Sequence, residues 1–151
     1  MLRSRRLIND DGNASLEFVT IGLILLVPFV YLILAIASIQ ASAFGVEGAA
    51  RQASRVFVQA PSEALAASRA ERAIQFALAD AGLKDAKPRV EVSCSPNPNN
   101  CLNRLGTVTV DIFLVAPLPL APRVLNADLP LGVPLHATAT EQVSKFWGAG
   151  G

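Results

Sequence analysis

The sequence has one histidine and two cysteines, and that scarcity excludes most metal chemistry. The cysteines, Cys94 and Cys101, enclose six residues, which is neither a zinc nor a thioredoxin spacing. No G-x-S-x-G, P-loop or H-E-x-x-H stretch occurs. Glu63 and Glu71, and Asp80 and Asp85, read as solvated helix-face or loop charges, not as a paired acid and base. No enzyme activity, cofactor or metal is therefore expected. Charge imbalance is missing too. The net charge is +1, and ten basic residues balance ten acidic ones after Gly12. That leaves no basic footprint for nucleic acid. The most telling lack is local, because no charged residue occurs from Phe18 to Val46.

Within that charge-free run, Phe18–Ile39 reads FVTIGLILLVPFVYLILAIASI. As a helix it spans roughly 33 Å, enough to cross a bilayer core with slight tilt. A core helix of so small a domain is rarely apolar on every face. The expectation is a single membrane pass in contact with lipid. Arg3, Arg5 and Arg6 precede it and favour a cytoplasmic N-terminus. The following domain then lies outside the cytoplasm, held at the cytoplasmic (inner) membrane. Ala41-Ser42-Ala43 has the small-x-small form that signal peptidase accepts, but signal-peptide apolar regions are about 7–15 residues long, much shorter than this one.

Beyond Gln40 the pattern becomes amphipathic. Val46, Ala49, Ala50, Ala53, Val56 and Phe57 fall at helical spacing, with Glu47 and Arg51 placed to pair at i, i+4. Pro28 should kink this helix, and Pro61 ends it. Ser62 can cap a second helix, with Leu65, Ile74, Phe76 and Leu78 among its apolar positions and Gly82 as its stop. Alternation over 89–93 and 107–115 predicts a β-hairpin around the Pro- and Asn-rich loop that holds both cysteines. A Pro-dense connection over 116–134 suits a surface path, and 135–143 is the last strand. Phe146 and Trp147 are expected to pack back on the domain. The fold class is α+β: a long N-terminal transmembrane and amphipathic helix, a second short helix, and a small three-stranded antiparallel sheet with one disulfide. The expected divisions are a leader over 1–12, the helix over 13–60 and an extracytoplasmic domain over 61–151.

A disulfide between Cys94 and Cys101 fits an oxidising compartment and should stabilise by roughly 2.5 kcal/mol if unstrained. His136 reads as a strand-surface residue. Ala37, Ala41, Gly45, Ala49 and Ala53 recur every four residues, a stripe of small side chains that lets helices approach closely and associate. An alanine-rich chain also makes such stripes by accident.

The stretch Gly12-Asn13-Ala14-Ser15-Leu16-Glu17-Phe18 follows a short basic leader and opens the apolar run. It resembles the processing site of type IV pilin-like proteins, in which a prepilin peptidase cuts after the glycine. The resemblance implies cleavage between Gly12 and Asn13, with Asn13 as the new N-terminus. It also implies an assembly role for Glu17, next to Phe18, as the acid that pairs with a neighbouring subunit's freed amine. Over Gly12–Val58 the chain looks most like the TadE-like minor pilins and pseudopilins of tight-adherence (Flp) pilus systems. TVTVDIFLVAPLPL and LGVPLHATATEQV match that family loosely. At the cut, Phe18 stands where these pilins often have tyrosine, and Asp10 and Asp11 stand where leaders are usually basic. The family implies partners: the prepilin peptidase, other pilin-like subunits and the Tad-type assembly machinery. Two other classes remain open at this point. One is a pseudopilin of another type IV filament, and the other is an uncleaved, signal-anchored binding or scaffold protein.

Overall fold

The computed structural model describes residues 13–119 and 132–148. The leader with Gly12, and most of the Pro-dense connection, lie outside the described residues. Two helices precede three strands: α1 (Asn13–Val58), α2 (Glu63–Asp80), β1 (Arg89–Ser95), β2 (Thr107–Pro117) and β3 (Gly132–Gln142). The long apolar helix, the shorter helix, the antiparallel sheet and the disulfide expected from the sequence are all present.

The chain divides into two compact units, Met1–Ile36 and Ala37–Gly151. Helix α1 continues through Pro28 and contributes to both. The second unit therefore takes in the amphipathic part of α1 as well as everything after Pro61. Among the described residues, its buried cluster gathers Val46, Ala49, Ala53 and Phe57 of α1 with Ala66, Ala70, Ile74 and Leu78 of α2 and the inward side chains of the sheet. Alanine dominates the helical contribution, and small side chains let helix backbones approach closely. At Gly45 the approach leaves no room for a side chain, since a Cβ there would lie 2.3 Å from the Cβ of Ala81.

Helix α2 starts and stops on local chemistry. Ser62 has extended backbone angles, and its Oγ accepts from Leu65 N–H at the long limit of 3.5 Å. At the other end Gly82 takes φ +77°. Gly82 N–H donates to Ala79 O at 3.0 Å, and Leu83 N–H donates to Leu78 O at 2.8 Å. This double reversal needs a left-handed residue and brings an apolar pair together; Leu78 and Leu83 are both buried. Leu65 departs from expectation and is exposed, and so does Phe76. At 100° per residue Phe76 lies about 200° from both Ile74 and Leu78, on the opposite face of the helix.

The sheet order is β1-β2-β3, with both pairings antiparallel. Central β2 alternates cleanly, and Val108, Val110 and Ile112 are fully buried. Each such side chain contributes roughly 1.5–3 kcal/mol of burial. Strand β2 runs on through Pro117, and β3 begins at Gly132 and includes Pro134. Both ends of the Pro-dense stretch are thus strand. Proline is tolerated there because β3 is an edge and Pro117 ends β2. Trp147 packs back as expected, its indole N–H donating to Ala60 O at 2.9 Å. Phe146 does not, and stays exposed.

Candidate functional site

The first surface that calls for a partner is the N-terminal part of α1. A helix buries apolar side chains only when something covers them, and among the described residues nothing in the first unit covers these. Leu16, Phe18, Val19, Ile21 and Leu23 through Val27 are all exposed, Phe18 at 81%. The most apolar window has a mean hydropathy of 2.8, and only 6% of it is buried. A core helix of a water-soluble domain would be mostly buried, so this helix is a candidate membrane anchor. Thr20, the polar residue in the middle of this surface, donates its hydroxyl to Leu16 O at 2.7 Å and so needs no partner from outside.

Asn13 is the first residue of α1, and Glu17 is exposed one turn further on. Among the described residues the ion pairs join Arg51 to Glu47, Arg89 to Glu91 and His136 to Asp111, and none involves Glu17. A carboxylate at the mouth of an apolar helix tolerates the interface at modest cost, and deeper burial requires a cation.

The small-residue stripe is divided by the fold. Ala49 and Ala53 are fully buried in the second unit, and Gly45 meets Ala81. Ala37 and Ala41 are exposed. The lower stripe thus serves the domain's own helix packing, and the upper two positions are left on the surface.

Cys94 and Cys101 form a disulfide with Cα atoms 5.1 Å apart. It closes the loop after β1, and the loop's Leu102 is buried at 1% exposure. Glu63, in the first turn of α2, accepts from Cys101 N–H at 2.6 Å. The pair therefore ties the hairpin loop to the start of α2.

The outer face of the sheet holds a cluster that the sequence did not point to. Asp111, His136 and Thr138 come together because β2 and β3 pair Asp111 with Thr138 and Phe113 with His136. Thr138 donates its hydroxyl to Asp111 Oδ1 at 2.5 Å, and His136 Nε2 lies 3.1 Å from the same oxygen. The hydrogen bond from Thr138, then that from His136, hold the Asp111 carboxyl below its usual 3.8 against the opposing effect of burial, with the charge of His136 a lesser contribution in the same direction. The His136 ring stacks on Phe113 with centroids 4.3 Å apart, and the Arg89 guanidinium lies 5.9 Å from the centre of the Phe113 ring. The Thr138 hydroxyl also lies 3.1 Å from His136 Nε2, so acid, imidazole and hydroxyl form one hydrogen-bonded cluster in this cross-strand row, with the Thr138 proton directed to the Asp111 oxygen. The alternation of 107–115 placed Asp111 and Phe113 on one face. What could not be read was the register of β3, which decides that His136 and Thr138 stand opposite.

Among the described residues, no three His, Cys, Asp or Glu side chains gather as a metal site requires. In comparisons with known proteins, no family model, no curated protein and no solved structure matches this chain.

Proposed function

We propose that this chain is a TadE-like minor pilin or pseudopilin that acts in assembly of a Flp-type or related type IV pilus after cleavage by a prepilin peptidase. The observation that carries the reading is the combination at the N-terminus. A glycine, a lone acid five residues on and an uninterrupted apolar helix stand in the order that cleavage and filament packing require. Helix α1 supports it physically, since its exposed apolar surface must be met by lipid or by sister helices. In this reading the chain crosses the inner membrane once with its N-terminus in the cytoplasm, and Arg3, Arg5 and Arg6 hold that end inside. The α+β domain stands outside the cytoplasm, where the Cys94–Cys101 disulfide persists. Other pilin-like subunits and the assembly machinery draw the helix from the lipid, with Glu17 pairing to the freed amine of a neighbour.

The test is the intact mass of membrane-extracted protein made with and without the peptidase. The expected mass with peptidase is that of residues 13–151, and the expected mass without it is that of the full chain. Full-length protein in both samples rules out the pilin reading and leaves a signal-anchored protein.

A further inference from the structure

We infer that the end of the domain where α1 enters carries a binding groove for the headgroup of an anionic phospholipid. The inference rests on α1 being a membrane anchor, as the proposed function requires.

The path of the chain fixes which end of the second unit this is. Helix α1 enters at Ala37, and α2 returns so that Ala81, just past its end, meets Gly45. Strand β1 then leads away again, and the loop after it reaches the start of α2, where Cys101 N–H meets Glu63. Trp147 marks the same far end through its bond to Ala60, just beyond α1. Strand β2 runs antiparallel to β1, so it comes back toward the end at which α1 enters. It outruns β1 by four residues, since Arg89 is opposite Phe113 while β2 continues to Pro117.

That overhang forms one side of an open groove of about 340 Å³. Val115 and Pro134 supply apolar lining, the Phe113 and His136 rings add two stacked aromatics, and Lys87 and Arg89 supply cations. Val115 is 54% exposed although it is a branched apolar side chain of the central strand, near that strand's end. Both pairs of properties match one occupant. The cations meet a phosphate, and the apolar lining meets the glycerol and upper acyl carbons. Lysine and arginine near an anionic membrane surface act in this way, with their stems on apolar ground and their heads at phosphate level. Asp111 opposes the phosphate, since the hydrogen bonds from Thr138 and His136 keep its carboxylate ionised, but it stands on the far side of the Phe113–His136 pair from Val115 and is not among the groove's lining residues. Glu91 does oppose it, because its carboxylate holds the Arg89 guanidinium.

The full chain is reconstituted in phosphatidylcholine nanodiscs that contain a minor fraction of phosphatidylglycerol. Lipids released with the protein are counted by native mass spectrometry. Wild type should retain phosphatidylglycerol above its share of the disc. The double substitution Lys87→Gln, Arg89→Gln should lower that preference by about tenfold to thirtyfold, and Glu91→Gln should raise it by freeing Arg89. These side chains are exposed and outside the buried cluster, so the variants keep the fold. Equal retention of phosphatidylglycerol by wild type and the double variant, with both in the discs, overturns the inference and leaves the anchor intact. Failure of the wild-type chain to enter the discs removes the anchor itself, and the groove's role with it.

Discussion

At Gly45 a single absent methyl group decides how closely α1 and the end of α2 approach. An added Cβ meets the Ala81 Cβ at 2.3 Å. Gly45→Ala should therefore destabilise the domain by about 1–3 kcal/mol, as overpacking does. Gly48→Ala is the control, because a Cβ there meets nothing within 4 Å. It should gain up to about 1 kcal/mol from helix propensity. Denaturant unfolding of the detergent-solubilised chain measures both, and the two glycines should move in opposite directions. On the sheet face, Thr138→Val removes the first donor to Asp111. The Asp111 pKa is lowered in the folded state, so the stability it contributes is present above its unfolded value of 3.8. It is lost as pH falls through the lower folded value. Wild type should exceed Thr138→Val by about 1 kcal/mol at most at neutral pH, since water screens a partly exposed carboxylate. The difference should close as pH drops well below 3.8. A gap that persists to pH 2 would assign the effect to packing of the valine. Sequence reading found Gly45 as one of a row of small residues. It could not find Ala81, because that neighbour is set by how α2 returns along α1.

Elements differ in how plainly their sequences announce them. The bounds of α2 were legible, since Ser62 and Gly82 act through hydrogen bonds within a few residues. Its buried face was harder to read. Ile74 and Phe76 are both apolar but stand about 200° apart, so only one can face the core. Competition for space in the tertiary structure awards the place to Ile74, and to Ala66, Ala70 and Leu78 in the same line. The strands show a related division. Alternation revealed β2, but the Pro117 and Pro134 ends of the sheet were hidden by proline content that edge and terminal positions tolerate. The hairpin loop depends on its cross-link. Replacing Cys94 and Cys101 together by alanine should cost roughly 2.5 kcal/mol. It should also release Leu102 and the contact between Glu63 and Cys101 N–H. Amide exchange at Cys101 and Leu102 should then rise before that of β2. Unchanged protection in the loop would mean that Leu102 burial alone holds it.

For the molecule as a whole, one apolar run performs two tasks. The charge-free stretch from Phe18 to Val46 reads as a single membrane helix that fades into an amphipathic one. In the structure the compact domain begins at Ala37, and Ser42 and Val46 are already buried. The surface left bare is therefore the N-terminal part, headed by Glu17, together with Ala37, Ala41 and Phe44 on the outer side of the run. Glu17→Leu should leave the chain in the membrane, because it removes a charge from an apolar helix. Under the proposed pilin role it should reduce pilus production by about tenfold or more, because that role buries an amine among packed helices that would then be unpaired, a loss of several kcal/mol. Surface pili are counted after shearing, alongside the amount of the variant in the membrane fraction. Normal piliation at normal protein level would remove Glu17 from assembly.

The sequence by itself determined the elements whose causes are local. These are the apolar helix, the capped second helix, the alternating strands and a cysteine pair close enough to join. It also carried the ordered residues Gly12, Asn13, Glu17 and Phe18 on which the functional proposal rests. Tertiary structure alone decided which apolar faces are covered, that Gly45 meets Ala81, and that Asp111, Phe113, His136 and Thr138 form one row. Those outcomes depend on strand register and on backbone approach between segments far apart in the chain. Such contacts form only when the chain competes with itself for the same buried space, and no short stretch of residues encodes the winner.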